Sequence, residues 1–365
     1  MSNQRPQFVL TISIPTWNRA EYLQDAIDTL AADIERHGLQ REVEILISDN
    51  GSEDGTRAVV EERISRHAYV RYVRNERNLG VRFNVLQVMH MAGGDYCMFL
   101  GDDDRLAAGS LPDIVESLRS HRGVPALFIQ QAGDNHMFRD IAEDTFLSFE
   151  DICARYFYDI GNAGIFIVET GRARAVIEKY GFEFFSNTWP QTQVVCLSLA
   201  GEPRPCLITP IKAVNSDLHS SLTVYSALYI WRTAFADLLL AARDMAPVIG
   251  RGLWQKVGQS LSLRLNSLVT EIQFYGAFID TKEQRRETAA SIRGVVGLLP
   301  WKARVTASLL WATFMLPQPR AAALYRARVR FRHGDDGLKF LDGQVRREVE
   351  KRESARGGLS VRQSV

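Results

Sequence analysis

The sequence predicts an α/β protein: a mostly parallel sheet covered by helices on both faces, with a helical region behind it. Three observations carry this. β-branched and apolar stretches alternate with helical patterns from residue 8 to about residue 120. Each of those stretches runs out into a polar cluster. Beyond residue 222 the apolar spacing turns helical and turn formers become scarce. The expected organisation is an α/β domain over residues 1–221, a helical appendage over 222–318, and a basic then mixed-charge tail over 319–365.

Taken in order, residues 8–14 form the first expected strand, which ends in Pro15, Thr16, Trp17, Asn18 and Arg19. A helix follows to about His37, with Tyr22, Ala26, Ile27 and Leu30 on one face. Residues 43–47 make the second strand, running into Ser48, Asp49 and Asn50, and Asp54 sits where an acid suits the next helix dipole. The third strand, residues 69–73, leads through Asn75, Asn78 and Gly80 into a helix carrying Val81, Val85, Leu86 and Met89. The fourth, from Asp95, is a short apolar run of the kind buried on both sheet faces, and it ends in three consecutive carboxylates, Asp102, Asp103 and Asp104. Three adjacent acids repel one another, so a shared cation is expected there; the alternative is a solvated turn before the helix near Gly109.

In an open parallel sheet, ligands bind beyond the carboxyl ends of the strands, where these polar clusters fall. The ligand class follows partly by exclusion. Neither GxGxxG nor GxxxxGK[ST] is present, so no glycine cradle meets a phosphate. A diphosphate then needs a metal, and hard carboxylate oxygens select Mg²⁺ or Mn²⁺.

Composition narrows the partners. Lys plus Arg total 44 against 43 Asp plus Glu, which gives no global charge excess for nucleic acid. The four cysteines show no CxxC or ligand spacing and read as reduced core thiols. The polar start has no basic-then-apolar leader, and the apolar stretch 295–316 is interrupted by Lys302 and Arg304. A cytoplasmic protein without a spanning helix is expected.

Four segments, IPTWNRAEYL, ILISDNGSEDGT, NERNLGVRFN and GDYCMFLGDDDRLAAGSL, in that order and spacing, resemble the family 2 glycosyltransferases of GT-A fold, and within them bacterial O-antigen enzymes of the abequosyltransferase type. The likeness covers residues 8–120 well and 120–220 loosely. It implies a nucleoside-diphosphate sugar donor and an inverting, metal-dependent transfer to a hydroxyl of a lipid-linked or polymeric glycan. By that resemblance Pro15, Thr16, Asn18, Asp49, Asn50, Asn78 and Asp102 line the nucleotide-sugar site, and Asp103 with Asp104 ligates the metal. The family's DxDD reads Gly101-Asp102-Asp103-Asp104 here, and the neighbourhood of its usual Glu-Asp pair reads NTWPQT, residues 187–192, with no acid. The base is therefore expected in the closing segment, at Asp217 or His219, with His219 an alternative metal ligand. Asn50, an amide where the family often has Asp, suits cytosine as well as uracil. A nucleotidyltransferase and a non-catalytic binding scaffold are the competing readings.

The helical appendage offers Ala227, Tyr229, Ile230, Ala234 and Leu238 at helical spacing. Aromatic and aliphatic residues from 298 onward precede Arg320, Arg326, Arg328, Arg330 and Arg332. That juxtaposition fits peripheral contact with the inner face of the cytoplasmic membrane, or a helix packed on the protein with a solvated basic end.

Overall fold

The computed structural model describes residues 8–132, 138, 140–157, 160, 164–215 and 226–362. Two compact units emerge: Met1–Ser220 with Asp244–Val257, and Ser221–Arg243 with Gly258–Val365.

The first unit is built on a nine-stranded sheet of order β3-β2-β1-β4-β8-β6-β9-β5, with β7 pairing β9. Its first half is the βα alternation expected: β1 (Leu10–Thr16), α1 (Ala20–Arg36), β2 (Val43–Asp49), α2 (Thr56–Arg66), β3 (Val70–Arg74), α3 (Val81–His90) and β4 (Tyr96–Phe99). β1 pairs in parallel with both β2 and β4, and β2 with β3. All of β2 and β4 is buried, as strands covered on both faces must be. The second half is β5 (Arg105–Leu106), α4 (Ser110–Ser120), β6 (Ala126–Gln131), β7 (Thr145–Leu147), α5 (Phe149–Tyr156), β8 (Phe166–Glu169), α6 (Thr170–Tyr180), α7 (Pro190–Leu199) and β9 (Cys206–Asn215). β8 lies antiparallel between β4 and β6, while β6 and β9 run parallel to each other. The sheet is mixed, with its first four strands all parallel.

Three details differ from the expected pattern. Thr16 and Asp49 close their strands instead of opening loops, and they are register partners across the β1–β2 pair. On α1 it is Leu23, not Tyr22, that joins Ala26, Ile27 and Leu30 in the core. On α3 Val81 is 66% exposed, and the buried polar residue of that helix is Asn84. The first turn of α3 leaves the sheet at Gly80, so its first apolar side chain has nothing to pack on.

The second unit holds α8 (Ala227–Trp231), the two ends of α9 (Asp237–Phe274, whose residues 244–257 cluster with the first unit), α10 (Lys282–Val295), α11 (Trp301–Met315) and α12 (Gln318–Arg362). α9 and α12 each contain a break, at Gly250 (φ 78) and Gly334 (φ 65), backbone conformations that favour glycine. α10 opens with a capping box, in which Gln284 N–H donates to Thr281 Oγ1 (3.2 Å) and Thr281 N–H donates to Gln284 Oε1 (2.9 Å). Among the described residues no helix is long and apolar enough to cross a membrane.

Candidate active site

The carboxyl ends of β1, β2 and β4 lie side by side because those strands pair in parallel, and each delivers polar groups there. The acidic turn after β4 is the focus. Asp102 is buried; it accepts a hydrogen bond from Thr16 Oγ1 at 2.7 Å, and Arg19 Nη1 stands 3.4 Å from its other oxygen. Arg19 Nη2 donates to Asp103 Oδ2 at 2.7 Å, so one guanidinium serves two of the three acids, with the Tyr22 ring 4.5 Å beneath it. Asp104 accepts from Gly101 N–H at 3.3 Å. Arg105 holds the turn's backbone, donating to the carbonyls of Asp102 (3.1 Å), Asp104 (2.8 Å) and Tyr22 (2.8 Å).

Burial pushes the Asp102 carboxyl up to about 6, against the pull of Arg19 and Thr16. Burial, then the charge of Asp103, pushes Asp104 up to about 7. Asp102 and Asp104 thus sit where the charged form is disfavoured. At Gly101 a Cβ would fall 2.7 Å from Asp104 Oδ2 and 3.0 Å from Asp103 Oδ1, so both carboxylates would have to shift to admit a side chain.

The residues expected around the nucleotide form a second network. Asp49 is fully buried and committed: it accepts from Ser52 N–H (2.8 Å) and Tyr72 OH (2.6 Å), with Arg74 Nε 3.3 Å away. Asn50 spends its amide on the 75–80 loop. Its Nδ2 donates to Asn78 Oδ1 (2.8 Å) and the Gly80 carbonyl (3.2 Å), while its Oδ1 accepts from Asn75 Nδ2 (3.1 Å) and Leu79 N–H (2.9 Å). Asn78 also accepts from Gly80 N–H at 2.8 Å, and Gly80 takes φ 91. Asn18 (φ 54) latches the first loop to the second: its N–H donates to Ser52 Oγ and its Oδ1 accepts from Glu53 N–H, both at 2.8 Å. Pro15 is half-buried in β1 opposite Ser48. Trp17, 49% exposed, stands at this edge. Thus Thr16, Asp102 and Asp103 meet around Arg19, whereas Asp49, Asn50, Asn78 and Asn18 frame the neighbouring loops.

Two contributors escaped the sequence reading. Arg19 was visible in PTWNR as a cation across from three acids. Asn84 gave no signal: its Nδ2 donates to the carbonyls of Ser48 (2.9 Å) and Thr16 (3.3 Å), tying together the ends of β1 and β2. Asp217 and His219 lie outside the described residues. Asn215, the last described residue before them, pairs with Arg105, next to the acidic turn. The expected acid-free neighbourhood, residues 187–192, leads into α7, where Gln191, Thr192 and Gln193 are buried.

The donor set fits a divalent ion. Asp102 and Asp103 already converge on one positive charge, and both offer hard oxygens. Among the described residues no three His, Cys, Asp or Glu side chains converge.

The fold is shared with solved structures that include S. aureus TarS 1-349, which superposes with a TM-score of 0.59 at 16% identity over 90% of this chain and 92% of that one. Residues 11–167 match the model of glycosyl transferase family 2. Abequosyltransferase RfbV of Salmonella typhimurium is 38% identical over 106 residues, 28% of this chain and 30% of the relative. The GalNAc(5)-diNAcBac-PP-undecaprenol beta-1,3-glucosyltransferase of Campylobacter jejuni is 29% identical over 108 residues, 29% of this chain and 33% of its own length. The chain therefore spans about a third of the curated relatives it matches.

Proposed function

We propose that the protein transfers a sugar from a nucleoside-diphosphate sugar to an acceptor hydroxyl, with inversion at the anomeric carbon, in O-antigen, capsule or related surface-polysaccharide synthesis. The observation that carries this reading is the acidic turn after β4 set against Thr16 and Arg19 inside a family 2 domain. The polysaccharide context rests on the names of the two relatives, one an abequosyltransferase and the other acting on an undecaprenol-linked glycan. TarS has been solved with UDP and with UDP-GlcNAc, in keeping with a nucleotide-sugar donor.

Asp103, with Asp102 or Asp104 beside it, would hold Mg²⁺ or Mn²⁺. When bound, the ion neutralises charge building on the leaving diphosphate. Arg19, which bridges Asp102 and Asp103, would share those carboxylates with the ion and brings a positive charge of its own to the turn. Asn18, Asn50 and Asn78 hold the loops that bound the nucleoside side. Asp217 or His219, a few residues past the strand that pairs beside the acidic turn, takes the acceptor's proton. The acceptor is a lipid-linked or polymeric glycan reached from the cytoplasmic face of the membrane.

Incubation with a panel of nucleotide sugars and a lipid-linked glycan acceptor, followed by mass and NMR analysis, tests the reading. A glycan extended by one sugar of inverted anomeric configuration is expected. A nucleotide transferred intact would make the protein a nucleotidyltransferase; retained configuration would overturn the inverting mechanism.

A further inference from the structure

Helix α11 is apolar on two sides. Ala303, Ala307, Leu310 and Phe314 are buried, whereas Trp301, Val305, Leu309 and Met315 are 71, 52, 65 and 61% exposed. Residues 301, 305 and 309 are four apart, so they make one continuous stripe on the helix surface. Toward its end the helix borders a groove of about 810 Å³ between α10 and α11. Its walls present Trp311, Phe314 and Met315 together with Lys282, Arg286 and Arg293. These three cations sit at i, i+4 and i+11 of α10, within a narrow arc of the helix. Among the described residues no acidic side chain lines the groove. The surrounding sequence has the same bias: residues 282–334 contain eleven Lys and Arg against two acids, Glu283 and Glu287.

We propose that this face docks on an anionic phospholipid bilayer. The outer stripe of α11 lies in the headgroup boundary, and Lys282, Arg286 and Arg293 meet lipid phosphates in the groove. The helix has 15 residues, about 22 Å, short of the roughly 30 Å hydrocarbon core, so it lies along the surface instead of crossing it. A second copy of the chain is the other candidate to cover the stripe. A twofold contact there would bring the groove's cations from both copies together, and the groove lining supplies no acid to offset them, which electrostatics opposes. The inference deepens the membrane-facing part of the proposed function, on which it rests only for where the acceptor lies.

Flotation of the full chain with vesicles tests it. Binding to phosphatidylcholine containing phosphatidylglycerol, absent with phosphatidylcholine alone and weakened by salt, is expected. Arg286→Ala with Arg293→Ala should lower the vesicle affinity roughly tenfold to thirtyfold. Trp301→Gln with Leu309→Gln should also abolish flotation. All four positions are exposed, so unchanged melting curves should accompany both losses. Asp103→Asn, inactive under the proposed function, should float like the wild type, which separates docking from transfer. Equal flotation with neutral vesicles, flotation unaffected by either double variant, or loss of flotation in Asp103→Asn would overturn the proposal. So would a wild-type dimer in light scattering that disappears in Trp301→Gln/Leu309→Gln.

Discussion

Arg19 and Asn50 look like ordinary loop residues in the sequence, yet each satisfies several partners at once. Arg19 supplies the positive charge shared by Asp102 and Asp103. It competes with any divalent ion for the same oxygens, so Arg19→Ala should tighten Mn²⁺ binding, read by titration of the free-ion EPR signal; unchanged or weaker binding would remove the competition argued here. Asn50 uses both ends of its amide, and a carboxylate in its place would face Asn78 Oδ1 and the Gly80 carbonyl with no hydrogen to donate. Asn50→Asp should cost about 1 to 3 kcal/mol in urea unfolding and loosen the 75–80 loop to proteolysis. An unchanged midpoint would mean that the loop is held elsewhere. The acids themselves were legible, because three consecutive carboxylates after a buried strand are rare and costly. The partners of Asp49 and Asn50 were not: Tyr72, Asn75 and Asn78 reach them only through the pairing of β2 with β3, which no local pattern records.

At the scale of elements, the loops after β2 and β3 touch through glycine. Gly51 has φ 75, and a Cβ there would lie 2.6 Å from the Arg77 carbonyl carbon; Gly38, at φ 68, has open space around it. Gly38→Ala should cost only the left-handed strain, about 1 to 2 kcal/mol, while Gly51→Ala should cost clearly more. Equal losses in thermal unfolding would show that the two loops do not approach as described. Farther along, Glu202 in the turn between α7 and β9 pairs with Arg172 of α6 and with Arg204, whose Nε donates at 2.8 Å. The hydrogen bond from Arg204 holds the Glu202 carboxyl down at about 2. A depressed folded-state value stabilises the protein above the ordinary carboxylate range and is lost as pH falls from about 4.5 toward 2. Glu202→Gln should therefore be less stable than the wild type at pH 7, with the gap closing in acid; a constant gap would contradict the pairing. The first four strands were readable from apolar runs between turn signals. β5, β7 and β8 were not, being two to four residues long and fixed by their pairing with β9, β4 and β6.

For the whole molecule, the part of the chain that matches the family 2 model is followed by helices that carry one basic groove beside an exposed apolar stripe. The change in periodicity after residue 222 marks where helices take over, and it carries no record that residues 244–257 cluster with the α/β unit, since a helix pattern does not say what it packs against. The central claim is that the turn after β4 drives transfer by holding positive charge where the diphosphate leaves. The most direct measurement is the rate of nucleoside-diphosphate release from the preferred donor, for wild type and Asp103→Asn, with Mn²⁺ and with excess chelator. The claim predicts a folded variant about 100-fold slower or worse, and a wild type that falls to the same level in chelator; a variant as fast as the wild type, or a wild type indifferent to chelator, would contradict it.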